Sequence, residues 1–120
     1  MNILFCDDGE TILELYVNEV AHSLPMHKLF GAKDGAEGLK ICQEHQIDYV
    51  FTDGRMPIKD GIQLSKDLQK LASPPKVYMI TGYAGTYDEE ELLNYGIREV
   101  FYKPIDYDWL IEFINNLSQD

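Results

Sequence analysis

Tyr49 to Pro57 reads YVFTDGRMP. The first four residues, Tyr49 to Thr52, form a short and nearly continuous apolar run. That is the pattern of a strand buried on both faces, where a strand with one wet face would alternate. The run stops at Asp53, and a loop containing Pro57 and Gly61 follows it. The same pattern recurs along the chain: Asn2 to Cys6 (NILFC) leads into Asp7 and Asp8, Val77 to Ile80 (VYMI) into Thr81, and Val100 to Tyr102 (VFY) into Lys103. If these runs are parallel strands, three carboxylates, a hydroxyl and an amine meet at one sheet edge. Ligands bind at the carboxyl ends of strands in open α/β sheets, so the convergence implies a site.

The intervening segments carry helical period. Glu10 to Leu24 has Ile12, Leu15, Tyr16, Val20 and Leu24 at three- or four-residue steps, which predicts one buried stripe. Lys28 to Ala32 (KLFGA) is a further strand run. Asp34 is placed to cap a helix reaching His45, with Ala36, Leu39, Ile41 and Cys42 facing inward. A third helix is expected over Ile62 to Leu71, before Pro74 and Pro75 block continuation. A fourth is expected over Thr86 to Tyr95, with the acids Asp88 to Glu91 at the positive end of its dipole and Gly96 as its stop. The last runs from Asp106 to Leu117 with Trp109, Leu110, Phe113, Ile114 and Leu117 as its stripe. Strand then helix, five times and without linker or repeat, predicts a parallel sheet covered by helices on both faces.

The chain has 120 residues, 45% apolar and 26% charged, which suits one globular domain. Its net charge is −11, from 21 acidic and 10 basic residues. Such a surface repels phosphate backbones and anionic lipid, so direct nucleic-acid or membrane binding is not expected, and a basic protein or a cation is the better partner. No run of about 18 uncharged apolar residues and no leader pattern is present, so a cytoplasmic protein is expected. Cys6 and Cys42 lack CxxC spacing and read as buried thiols of a reducing compartment; His22, His27 and His45 share no ligand spacing.

Taken together, Asp7-Asp8, Asp53 with Met56-Pro57 and Gly61, Thr81-Gly82 and Lys103-Pro104 resemble the receiver domain of bacterial two-component response regulators. The resemblance covers the chain from ILFCDD to YKPID and the final helix, residues 1–120 as a single domain. No single element is specific; five in order, each at a strand end, are. The resemblance implies an α/β flavodoxin-like (βα)5 fold, a doubly wound parallel sheet of strand order 2-1-3-4-5 whose switch point lies between the strands carrying Asp7, Asp8 and Asp53. It implies a phosphoacceptor that receives a phosphoryl group on Asp53 from a histidine kinase or phosphotransfer protein and catalyses its own phosphorylation and dephosphorylation.

That chemistry sets phosphate against an already negative site, so a hard divalent cation is needed. Mg²⁺ is implied, with Asp8 and Asp53 supplying carboxylate oxygens, Asp7 acting mainly through a bound water, and the Arg55 carbonyl as a further contact. Lys103 would bring a compact positive charge to the phosphoryl oxygens, and Thr81 a hydroxyl that reorients towards them. Gly82 would leave a gap for the phosphodonor, and a cis bond would precede Pro104. The family further implies a downstream protein target on the face of helix four, strand five and helix five, and a monomer or a homodimer formed on phosphorylation. Whether the chain is a stand-alone receiver or part of a longer regulator stays open, although Met1 just before the first strand argues for a genuine N-terminus.

Three positions depart from the family pattern. Val100 stands three before the lysine, where an aromatic usually changes rotamer, so Tyr102 and Tyr83 become switch candidates beside Thr81 and Val100. Arg55 and Tyr83 occupy variable positions bordering the phosphoryl group and are both large, so with Gly82 they are expected to govern access to it. Gly9 replaces a frequent third acid. Tyr83, Tyr87, Tyr95, Tyr102 and Tyr107 are expected to be mostly half-buried packing residues.

Each motif also has a plain structural reading. Asp7 and Asp8 suit helix caps, Asp53-Gly54 an ordinary turn, and Lys103-Pro104 a solvated lysine before a turn. The alternative enzyme is a small haloacid-dehalogenase-like Mg²⁺-dependent phosphatase, which needs an acid two residues after its nucleophile; Arg55 and Gly9 stand there. Flavin binding rests on fold alone and lacks a phosphate loop after the first strand.

Overall fold

In the computed structural model, which describes every residue except Ala84, Gln119 and Asp120, strands and helices alternate. They are β1 (Asn2–Cys6), α1 (Glu10–Ser23), β2 (Lys28–Ala32), α2 (Gly35–Glu44), β3 (Tyr49–Thr52), α3 (Gly61–Leu68), β4 (Lys76–Thr81), α4 (Glu89–Asn94), β5 (Ile97–Tyr102) and α5 (Tyr107–Leu117). The strands form one sheet in the order β2-β1-β3-β4-β5, all pairs parallel. This is the flavodoxin-like (βα)5 arrangement, and the direction of winding reverses between β1 and β3.

Both sheet faces are dry, as the apolar runs require. One face packs Ile3, Phe5, Tyr49, Phe51, Tyr78 and Ile80 against Tyr16 and Val20 of α1 and Leu110 and Ile114 of α5. The other packs Leu4, Val50, Val77, Met79, Ile97 and Val100 against Leu64 and Leu68 of α3 and Leu92 of α4. An aromatic row crosses four adjacent strands on the first face: ring centroids of Phe5 and Phe51 lie 5.4 Å apart, Phe51 and Tyr78 5.5 Å, Tyr78 and Phe101 5.9 Å. Cross-strand stacking of this kind fixes register as well as adding to stability.

The elements depart from the sequence pattern where tertiary contacts override period. In α1 the buried positions are Leu13, Tyr16 and Val20, and Leu15 is exposed. The stripe is rotated so that Leu13 packs beside Gly31 of β2, with its side-chain carbons 3.5 Å from the Gly31 Cβ position. In α2 it is Gly35 and Gly38 that are buried, while Ala36, Leu39, Ile41 and Cys42 are half-buried. A Cβ at Gly35 would overlap the Lys59 carbonyl, and the Gly35 N–H donates to that same carbonyl, so α2 and the β3–α3 loop touch through backbone.

Helix α3 is shorter than expected, ending at Leu68, because Lys70 and Leu71 bond back three residues to Asp67 and Leu68 in tight turns. Helix α4 spans only Glu89–Asn94, because the Asp88 carboxylate accepts from the N–H groups of Glu90 and Glu91 and so sets the start there. Gly96, at φ 90, ends that turn as expected. Strand β5 begins at Ile97, three residues before the apolar run, and a bulge between the pairs Val77–Ile97 and Met79–Val100 lets both Ile97 and Val100 face the same core.

Candidate functional site

The strand ladder runs one residue past each strand and thereby pins the polar residues that follow. The Asp7 N–H donates to the Ala32 carbonyl at 3.0 Å, the Asp53 N–H to the Cys6 carbonyl at 2.8 Å, and the Lys103 N–H to the Thr81 carbonyl at 2.8 Å. Asp7, Asp53, Thr81 and Lys103 are thus held on neighbouring strand ends by backbone, before any side chain acts.

Their side chains converge. Lys103 Nζ donates to Asp7 Oδ2 at 2.7 Å and to Asp53 Oδ2 at 3.0 Å. The other Asp53 oxygen accepts from the Gly54 N–H at 2.7 Å and lies 3.4 Å from the Arg55 N–H. Asp7 Oδ1 accepts from the Gly9 N–H at 2.8 Å. Asp7 and Asp53 are buried and Asp8 is exposed, with one carboxylate oxygen of each within 4.8 Å of the others. Three hard oxygen donors that close, reached from solvent on the Asp8 side, match the Mg²⁺ site of a receiver domain.

Burial pushes the Asp53 carboxyl up, and Lys103 pulls the other way. Burial alone would lower the Lys103 ammonium, but its hydrogen bonds and charge contacts with Asp7 and Asp53 prevail and raise it. The amine is therefore a fixed positive charge shared by two carboxylates.

Thr81 is fully buried, and its hydroxyl accepts from the Tyr83 N–H at 3.2 Å. The bond from Lys103 to Pro104 is cis, as the resemblance implies. A Cβ at Gly82 would meet nothing within 4 Å, so the space beside Thr81 is open. Gly61 is tight instead: a side chain there would overlap the Asp53 carbonyl.

A match to the response regulator receiver domain family covers residues 3–115. This chain belongs to that family. The receiver is 28% identical over 96% of its length to the transcriptional regulatory protein GlrR of Escherichia coli, covering 26% of that protein. It is 32% identical over 88% of its length to the transcriptional regulatory protein HptR of Staphylococcus aureus, covering 41% of it. The chain therefore spans less than half the length of these two curated relatives. Among solved structures it is similar to the receiver domain of the Francisella response regulator 1452, with a TM-score of 0.85 and 27% identity over 98% of this chain and 96% of that one.

Around the receiver site the structure brings Arg55 and Tyr83 together, the guanidinium carbon 3.7 Å from the ring centroid. Val100 is buried against Met79, its partner in the β4–β5 ladder. Tyr102 pairs with Thr81 in that ladder and is exposed, as is Tyr83, so neither is the half-buried packing residue the sequence suggested. Tyr87 is half-buried, as expected of a packing tyrosine, but its place beside the site was not legible in the sequence. From the end of the β4–α4 loop it reaches back over Gly54: a Cβ at Gly54 would overlap the Tyr87 hydroxyl. The available signal was the glycine directly after Asp53, which marks a close approach but not by what.

Proposed function

We propose that Asp53 is the phosphoacceptor, that Asp8, Asp53 and the Arg55 carbonyl hold the Mg²⁺, and that Lys103 and Thr81 receive the phosphoryl oxygens. The observation that carries this reading is the pair of Lys103 contacts, which ties Asp53 to an amine it shares with Asp7. An Asp53 oxygen attacks phosphorus in line, the bond from phosphorus to the donor's nitrogen or oxygen breaks, and the donor leaves with that electron pair. Mg²⁺, when bound, neutralises charge on the carboxylates and the incoming group. Lys103 holds its proton and positive charge throughout, and the Thr81 hydroxyl, now accepting from Tyr83, turns to donate to the new phosphoryl group.

The open space at Gly82 supports entry of the donor there. Arg55 and Tyr83 support slow loss of the phosphoryl group, because the guanidinium, once it leaves the ring, can bond the phosphoryl oxygens, and the ring beside it stands on the path of water. A histidine kinase or phosphotransfer protein is the donor for this family, and a cytoplasmic location accords with it. No helix of the described residues is long and apolar enough to cross a membrane. Exposed Leu93 of α4, Tyr102 of β5 and Trp109 of α5 support the α4–β5–α5 face as the place where a downstream protein binds.

Intact mass after incubation with acetyl phosphate or phosphoramidate, with and without Mg²⁺, tests this reading. One labile phosphoryl group per chain, formed only with Mg²⁺ and absent in Asp53→Asn, is expected. Full labelling of Asp53→Asn refutes the assignment. Sustained turnover of a phosphate ester would instead favour the haloacid-dehalogenase-like phosphatase, although Arg55 occupies the position its general acid requires.

A further inference from the structure

Two segments that leave neighbouring strands are fastened together beside Asp53 by contacts that none of the site residues above requires. From the β3–α3 loop come Gly54 and Arg55; from the β4–α4 loop come Tyr83 and Tyr87. The Arg55 guanidinium lies 3.7 Å from the Tyr83 ring centroid. Tyr87 is half-buried, with its hydroxyl seated where a Gly54 side chain would be. That hydroxyl also faces Arg55: burial raises the Tyr87 pKa, and the guanidinium is its main counterweight. The next residue is Asp88, whose carboxylate accepts from Glu90 and Glu91 and fixes where α4 begins. Gly54 itself donates to Asp53 at 2.7 Å. A continuous set of contacts therefore joins Asp53 to the first turn of α4 without passing through β5, where Val100 is buried and has one χ angle.

We propose that Arg55, Tyr83 and Tyr87 form a latch that holds the β4–α4 segment against the Asp53 loop and opens when Asp53 is phosphorylated, so that Tyr87 carries the change to α4. This rests on Asp53 being the phosphoacceptor. A phosphoryl group on Asp53 adds about two negative charges next to the Arg55 backbone. Charge-assisted, two-pronged hydrogen bonds to phosphoryl oxygens outcompete an exposed cation–π contact, so the guanidinium leaves the tyrosines for the phosphoryl group. Tyr83 then loses its cation and Tyr87 its polar neighbour. The Tyr87 hydroxyl, against Gly54 with no basic partner, has a better environment in water. Its withdrawal pulls on Asp88 and re-sets the start of α4. Tyr87 acts here as a positioning residue through Arg55 and touches no reacting atom.

Amide hydrogen exchange by mass spectrometry on the full chain, read on the peptide from Thr86 to Leu92, tests the latch. Wild type is compared with Arg55→Ala, Arg55→Lys, Tyr87→Phe and Tyr102→Ala, each with and without Mg²⁺ and beryllofluoride. Wild type is expected to exchange about threefold faster in this peptide with the mimic. Arg55→Ala is expected to be fast already and to change little on adding it. Arg55→Lys keeps the charge but loses the flat stacking group, and it too should start fast. Tyr87→Phe keeps the ring, so the fold survives, and it should lose most of the response. Parallel samples of each protein, given acetyl phosphate and Mg²⁺ in place of beryllofluoride, are weighed for phosphoryl label. Label with no exchange response in wild type, or an undiminished response in Arg55→Ala and Tyr87→Phe, overturns the latch alone. A response abolished by Tyr102→Ala but not by Tyr87→Phe routes the signal along β5 and also overturns it. Absence of label in wild type overturns the phosphoacceptor reading and the latch with it.

Discussion

Asp53 is 7% exposed, close to two other carboxylates, and shares its cation with Asp7. Its pKa is raised, first by burial. A group that binds its proton more tightly in the fold contributes stability while protonated, and that contribution is lost as pH rises through its folded pKa. At neutral pH the ionised Asp53 therefore strains the apo protein. Asp53→Asn, which keeps an acceptor for Lys103, should be more stable at pH 7 by about 1 kcal/mol, the scale of one well-screened charge contact. Denaturant unfolding between neutral and acid pH checks this; the gap should close as the pH falls through the Asp53 titration. Asp7 and Asp8 should separate on metal binding. Both Asp7 oxygens are engaged, by Gly9 and Lys103, whereas Asp8 faces solvent. By calorimetry Asp8→Ala should lose more than about tenfold in Mg²⁺ affinity and Asp7→Ala less. The opposite ranking would reverse their roles.

At the scale of elements, the caps fix where the helices begin. Asp34 accepts from Glu37, Asp60 forms a capping box with Gln63, and Asp106 caps α5. The three residues between Pro57 and Gly61 bring the chain from the site loop into α3, and they do so with Ile58 at φ 70 and 81% exposed. A β-branched side chain in the left-handed region is strained and here buries little. Ile58→Gly should raise stability by about 0.5–1 kcal/mol after its own entropic penalty, measured by chemical unfolding. Loss of stability would mean that Ile58 makes contacts worth more than the strain. Asp88→Ala should cost about 1 kcal/mol and lengthen or fray the start of α4, visible in amide exchange of Glu89 to Asn94. The expected helix from Thr86 failed for the same reason: a side chain that takes two N–H groups outranks local propensity.

For the molecule as a whole, the net charge of −11 sits on a sheet whose two faces are dry. Uneven charge of that size is self-repelling, so the melting temperature should rise with sodium chloride from low to moderate ionic strength, and Mg²⁺ should raise it further by binding the folded state. A melting temperature that falls with salt would place net attraction, not repulsion, among the surface charges. The aromatic row on the first face ties four strands into one unit. Phe51, 1% exposed and stacked on both Phe5 and Tyr78, is its centre. Phe51→Ala should cost about 3–5 kcal/mol and loosen β1, β3 and β4 together.

Sequence alone determined the five strand runs, their parallel pairing, the Gly96 stop of α4 and the five strand-end residues, because these depend on short-range features: an unbroken apolar run, an acid able to cap, a glycine or proline. It also placed Asp53, Thr81 and Lys103 at one edge, since a parallel sheet leaves no other end for them. What it left undecided lay between residues far apart in the chain. Leu13 rather than Leu15 turned inward, where it packs beside Gly31 on another element. Asp7 took Lys103 as its partner across 96 positions. Tyr87 came to rest on Gly54 although nothing in either segment names the other. Local periodicity records which way a side chain faces, but not which neighbour fills the space it faces, and that neighbour is set only when the loops have closed and the faces have packed.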